Sequence, residues 1–149
     1  MLERQLSLDE VKAIRAAVEG EIEFFVHGAL CVCYSGQCYL SEKLAGRSAN
    51  RGACIQACRG RYNLADASGK ILVKDRPLLS LKDYNLLSRL EEMADAGICS
   101  FKIEGRLKNI SYVKNVVSAY SQAIDALVAR RPGEYCRASA GLQNKSPCA

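Results

Sequence analysis

The sequence predicts an α/β fold, made of two strand-and-helix units of a parallel βα protein with a long cysteine-rich loop set into the first. Three observations predict it. The elements run helix, strand, loop, helix, strand, helix, the alternation expected of parallel βα units. Three segments repeat apolar residues at helical spacing. Between them, residues 28–62 have no period and carry five of the eight cysteines.

The first helix starts where Ser7 and Glu10 have the spacing of a capping box. Leu8, Val11, Ile14, Ala17 and Val18 then fall on one face, and Gly20 ends the helix. Glu21 to Val26 is a short β-type run that closes on His27 and Gly28. The cysteine-rich segment reads as an elaborated loop, and loops this long in compact domains are usually functional. Ile71 to Leu79 reads as a short hairpin or strand around Pro77. A second helix is expected from Lys82 to Ala96, with Leu86, Leu87, Leu90 and Met93 on one face and Gly97 as its stop. Ile98 to Ile103 reads as the second strand, ending at Glu104-Gly105-Arg106. A long helix follows from Ser111 to Ala129, with Val113, Val116, Val117, Tyr120, Ile124 and Leu127 as its apolar stripe. Residues 1–131 form one expected domain, and residues 132–149 read as a loosely ordered tail. Two βα units are too few to close a barrel, which takes about eight, so a piece of a larger βα protein is expected.

Composition excludes several classes. Of 149 residues, 49% are hydrophobic and 25% charged, a globular balance rather than a disordered one. No apolar run approaches the roughly 18 residues of a membrane helix, and the N-terminal segment has no apolar signal region. A cytoplasmic, membrane-free protein is expected. In a reducing compartment, eight cysteines point to metal or redox chemistry rather than to disulfides. The net charge of +5 is compatible with a nucleic-acid partner without requiring one.

Cys31, Cys38, Cys54 and Cys58 are the strongest chemical signal. Six residues separate the first pair, three the second, and fifteen lie between the pairs. Four thiolates on one loop suit a tetrahedral zinc or an iron–sulfur cluster. The wide first pair leans towards iron–sulfur, since structural zinc sites favour tight pairs. Free buried thiols acting as small hydrophobes are the alternative. Gly28, Gly36 and Gly52 let backbone approach closely and offer N–H groups to sulfur. Cys33 reads as a bystander, Cys99 as a core residue, and Cys136 and Cys148 as incidental.

Two polar groups accompany the cysteines. His27, the only histidine, ends the first strand, while Glu104 and Arg106 end the second. In a βα barrel such strand ends face the active site. These three are the candidate catalytic residues, suited to acid–base chemistry, anion binding or metal ligation; ordinary caps and salt bridges account for them equally well. Arg47, Arg51, Arg59 and Arg61 flank the cysteines and suit phosphate or carboxylate. Arg47, Arg51 and Arg59 are therefore candidates for binding RNA or a small anion, against the alternative of a solvated loop face.

The runs Glu23-Phe-Phe-Val-His-Gly-Ala-Leu-Cys31, Tyr34-Ser-Gly-Gln-Cys-Tyr-Leu-Ser41, Gly46-Arg-Ser-Ala-Asn-Arg-Gly52 and Cys54-Ile-Gln-Ala-Cys-Arg59 resemble the peptidase U32 (collagenase-like) family. So do Leu79-Ser-Leu-Lys-Asp83, Ser100-Phe-Lys-Ile-Glu-Gly-Arg106 and Tyr112-Val-Lys-Asn115. Within the family the chain most resembles the bacterial branch that hydroxylates a cytidine of 23S ribosomal RNA. The resemblance implies a TIM-like (β/α) barrel, present here in part. It implies that Cys31, Cys38, Cys54 and Cys58 hold a 4Fe–4S cluster, and that the activity is oxygen-independent RNA hydroxylation, with prephenate as co-substrate. The partner implied is rRNA or tRNA. Family members are several hundred residues long, so this chain is expected to be a fragment without activity of its own. A collagenase-like peptidase acting on a protein substrate is the alternative, although no Ser–His–Asp set or HExxH motif is visible. A non-catalytic, zinc-stabilised RNA-binding module is a further one.

Overall fold

The computed structural model describes residues 1–137. In chain order its helices are α1 (Leu8–Ala17), α2 (Leu40–Ala45), α3 (Leu90–Asp95) and α4 (Ile110–Arg130). Its strands are β1 (Glu23–Ala29), β2 (Tyr62–Ala65), β3 (Ile71–Arg76), β4 (Asp83–Asn85) and β5 (Ser100–Ile103). The chain divides into two compact units, Met1–Gly28 with Tyr84 onward, and Ala29–Asp83.

The first unit is built on the three-stranded sheet β4-β1-β5. β1 and β5 run parallel, with Phe24 opposite Phe101 and a register shift between Phe25 and His27. Strand residues alternate faces. Phe24 and Val26 accordingly enter a core with Val11, Ile22, Leu90, Met93, Ala96, Ile98 and Tyr120. Phe25 is buried as well, and the Arg4 guanidinium covers its ring at 4.5 Å. A strand buried on both sides is what a parallel sheet with covered faces demands. Each fully buried side chain of this size contributes about 1.5–3 kcal/mol.

The helices begin where the sequence places caps. Ser7 Oγ accepts the Glu10 N–H, and the Glu10 carboxylate accepts the Ser7 N–H at 2.7 Å, completing the capping box. Asn109 caps α4 by accepting the Tyr112 N–H at 2.7 Å. At the far end of α4, Arg131 pairs with Glu91 at 3.1 Å, with Asp95 at 2.9 Å and with Glu134, while Tyr135 donates to Asp95.

Several expectations are corrected. The helix expected over 82–96 starts late: β4 occupies Asp83–Asn85, a 3-10 turn covers Leu87–Arg89, and only Leu90–Asp95 is α-helical. Pairing alongside β1 holds this stretch extended, and the Asn85 side chain then caps the turn by accepting the Leu87 N–H at 3.0 Å. The second strand is shorter than expected, Ser100–Ile103, because the Cys99 and Ser100 N–H groups both turn onto the Ile22 carbonyl. Cys99 is exposed rather than part of the core.

The second unit is less bare than the expected loop. It holds α2, 3-10 turns at Ala49–Arg51 and Ala57–Arg59, and an antiparallel hairpin of β2 and β3. The strand expected within Ile71–Leu79 is β3, which ends at Arg76, just before Pro77, and its hairpin partner β2 lies earlier in the chain. The hairpin turn is set by Asp66, whose Oδ1 accepts the Ser68 N–H at 2.9 Å and the Lys70 N–H at 3.1 Å. Gly69 completes the turn at φ +86°, a conformation glycine adopts without strain.

The α/β class therefore stands. The described residues form two separate sheets and no closed barrel. No helix among them is long and apolar enough to cross a membrane. Cys148 and most of the tail lie outside the described residues.

Candidate metal centre

Three side chains, Asn50, Ser41 and Arg59, collect the cysteine loop, and each makes a hydrogen bond at or next to a cysteine. Asn50 Oδ1 accepts the Cys38 N–H at 3.0 Å, tying the first cysteine pair to the turn before Cys54. Ser41, the one buried polar side chain among the described residues, accepts the Ile55 N–H at 3.2 Å and points its hydroxyl at Cys54 Sγ from 3.9 Å. Arg59, next to Cys58, donates through Nη2 to the carbonyl of Leu30, next to Cys31, at 2.6 Å. Its Nη1 reaches the Leu81 carbonyl at 2.8 Å and Ser80 Oγ at 3.2 Å. Arg59, a candidate for anion binding from its residue type, thus uses these donors to close the loop on itself.

The thiols consequently sense one another. Burial pushes the Cys58 thiol up; Arg59 opposes this, and Cys31, Cys54 and Cys38 reinforce it. Burial, Cys38 and Cys31 likewise push up Cys33, which also hydrogen-bonds Cys38. Cys33 thus lies beside the candidate ligands and is more than a distant bystander. Cys54 Sγ accepts the Gln56 N–H at 3.3 Å, the type of bond that stabilises sulfur in a cluster. Gln56 sits at φ +53°, so a strained non-glycine residue supplies the N–H that the pattern of glycines led one to expect from Gly28, Gly36 or Gly52.

The donor set fits soft-metal chemistry, since thiolates select zinc and iron–sulfur clusters. Among the described residues, however, no three His, Cys, Asp or Glu side chains stand as a ready coordination shell. Arg47 and Arg51 are exposed and make no ion pair among the described residues, so both remain open to an anion.

The strand-end group belongs to the first unit. The Glu104 N–H donates to the His27 carbonyl at 2.8 Å, bringing the ends of β1 and β5 together. Gly28 permits this: at φ +124°, a Cβ there would lie 2.5 Å from the Glu104 carbonyl oxygen. His27 Nε2 lies 3.1 Å from the Tyr112 hydroxyl, and its ring meets Tyr120 edge-on. Lys108 sits over the Tyr112 ring at 4.8 Å. The Glu104 carboxylate accepts the Arg106 N–H at 2.9 Å, bending the chain after β5. His27 and Glu104 therefore meet through their backbones, and Tyr112, marked in the sequence only as the start of the run Tyr112-Val-Lys-Asn115, is a hydrogen-bond partner of the His27 ring. The place of Tyr112 in the first turn of α4 was the available signal.

The chain matches the peptidase family U32 over residues 1–146. It belongs to that family. The chain is also similar to curated proteins that carry different names. The chain is 52% identical to the 23S rRNA 5-hydroxycytidine synthase of Escherichia coli, over 95% of this chain and 21% of that protein. It is 43% identical to a tRNA hydroxylation protein of Bacillus subtilis, over 87% of this chain and 32% of that protein. It is 37% identical to a protein named collagenase from Porphyromonas gingivalis, over 85% of this chain and 34% of that protein. The chain thus spans between a fifth and a third of the length of these relatives. No solved structure matches it.

Proposed function

We propose that this chain is part of an iron–sulfur enzyme that hydroxylates a base of RNA, with Cys31, Cys38, Cys54 and Cys58 as ligands of a 4Fe–4S cluster. The observation that supports the reading is the polar framework of Asn50, Ser41 and Arg59, each bonded at or beside one of these cysteines. The names of relatives that act on rRNA and tRNA support the RNA substrate. We take β1 and β5 as adjacent strands of a TIM-like barrel completed by other parts of the protein, working in the cytoplasm, with prephenate as co-substrate.

When bound, such a cluster supplies single electrons. The chain's own residues supply the setting. Gln56 places an N–H on the Cys54 sulfur. Arg59 holds the backbone beside Cys31 against that beside Cys58. His27 and Tyr112 share a hydrogen bond through which a proton can be held or passed between Nε2 and the phenolic oxygen. Arg106 supplies a cation for an anionic co-substrate.

The test is anaerobic purification of the full-length protein, with iron and sulfide analysis and nucleoside mass spectrometry of its RNA. About four iron and four sulfide per chain are expected, with a hydroxylated base lost in Cys58→Ser. Zinc without iron would contradict the reading and favour a zinc-stabilised RNA-binding module. The name collagenase gives a second reading, proteolysis. Gelatin cleavage abolished by His27→Ala would favour it.

A further inference from the structure

The seven tyrosines, all among the described residues, divide sharply. Tyr62, Tyr112, Tyr120 and Tyr135 bond through their hydroxyls, and Tyr84 is half-buried. Tyr34 and Tyr39 are 72% and 65% exposed, and neither hydroxyl has a partner among the described residues. Packing does not explain two large aromatic faces turned to water.

Their positions narrow the explanation. Tyr34 opens the turn that closes when the Gln37 N–H donates to its carbonyl, and Tyr39 caps α2 immediately after Cys38. The bond from the Cys38 N–H to Asn50 Oδ1 lays this stretch beside the Ala49–Arg51 turn. That turn is flanked by the exposed Arg47 and includes the exposed Arg51. Between Ala29 and Arg61 there are five Lys and Arg residues and a single acidic one, Glu42. Exposed aromatic faces within a cationic surface are the recognition chemistry of unpaired nucleic acid: bases stack on the rings and phosphates meet the guanidinium groups. A duplex, whose bases are already stacked, gains nothing from the rings.

We propose that Tyr34 and Tyr39 form a stacking platform for unpaired bases of an RNA strand whose phosphates are met by Arg47 and Arg51. This rests on the reading of RNA as the substrate and specifies that the strand must be single where it enters. It also places the platform in the same loop as the cysteines, so a base held there is held by residues close in sequence to the proposed cluster ligands.

The experiment is fluorescence anisotropy of the full-length protein with a labelled single-stranded RNA of mixed sequence and with a duplex of the same length. Tyr34→Ala with Tyr39→Ala is expected to weaken single-strand binding by about tenfold or more, because stacking is worth about 1–3 kcal/mol per base. Duplex binding should change less than about twofold. Tyr34→Phe with Tyr39→Phe should restore single-strand binding, since the ring and not the hydroxyl does the stacking. Arg47→Gln with Arg51→Gln should flatten the salt dependence by about 0.7 in logarithmic slope for each phosphate that is no longer neutralised. Equal affinity of the alanine variant and the wild type for the single strand, or equal weakening on single strand and duplex, would overturn the platform while leaving RNA as the substrate. Absence of RNA binding by the wild-type protein would overturn the RNA reading itself.

Discussion

The two units of this chain are held together by different physics. In the first, Phe24, Val26, Val11 and Met93 are at most 2% exposed, and a continuous apolar core joins β1 to its helices. In the second, from Ala29 to Asp83, only Ala29 and Ser41 are buried. Leu64, Ile71 and Leu72 of its hairpin are about half exposed. A segment of this size with almost no core cannot gain enough from apolar burial, and small domains in that position commonly rely on metals or disulfides. None of its five cysteines is in a disulfide. The difference teaches that the cysteine unit rests on directional bonds such as those of Asn50, Ser41 and Arg59, whereas the sheet unit stands on packing; under the proposed function, a cluster on its thiols would supply the rest.

Substitutions can break or sharpen that contrast. The largest effect belongs to the sheet unit: Phe24→Ala should lower unfolding stability by about 3–5 kcal/mol in denaturant titration. A drop below about 1 kcal/mol would mean that this core is not what holds the unit. Next is Gly28→Ala, which meets the Glu104 carbonyl at a positive φ. A destabilisation of about 2 kcal/mol or more is expected, together with altered chemical shifts of His27. Tyr120→Phe is smaller. The Tyr120 hydroxyl donates to the Val26 carbonyl at 2.9 Å and accepts the Leu86 N–H at 3.3 Å, so its removal should cost about 1–2 kcal/mol.

The smallest effect is the acid response of the Arg131 cluster. Hydrogen bonds from Arg130 and then Arg131 hold the Glu91 carboxyl below the usual carboxylate range, and Arg131 does the same for Glu134. A lowered carboxyl stabilises the folded state above its unfolded pKa and loses that contribution as pH falls through its folded value. Melting temperature should therefore decline slightly below about pH 4.5, and Arg131→Gln should flatten that decline. An unchanged profile would mean that the cluster contributes nothing to the acid response.

Much of this contrast was legible in the sequence, for local reasons. The capping box at Ser7, the apolar run of β1 and the stripe of α4 are short-range patterns, and each element forms close to where its pattern lies. The cysteine spacing was equally legible. What escaped is set by partners far along the chain. Asp83–Asn85 has helical apolar spacing after it, yet pairing beside β1 draws it into a strand. His27 meets Tyr112 across 85 residues, and Arg59 meets Leu30 across 29. No periodicity records such contacts. Helix α2 spans only six residues, too few to display a period.

The central proposal is that a cluster held by Cys31, Cys38, Cys54 and Cys58 orders the cysteine unit. The measurement that tests it most directly is amide hydrogen exchange of the full-length protein, cluster-loaded and after anaerobic removal of the metal. Peptides spanning residues 29–61 should lose protection when the metal leaves, while those covering β1 and β5 keep theirs. The same pattern is expected in Cys54→Ser and Cys58→Ser, and wild-type protection in Cys136→Ser. Equal protection of residues 29–61 with and without metal would contradict the proposal.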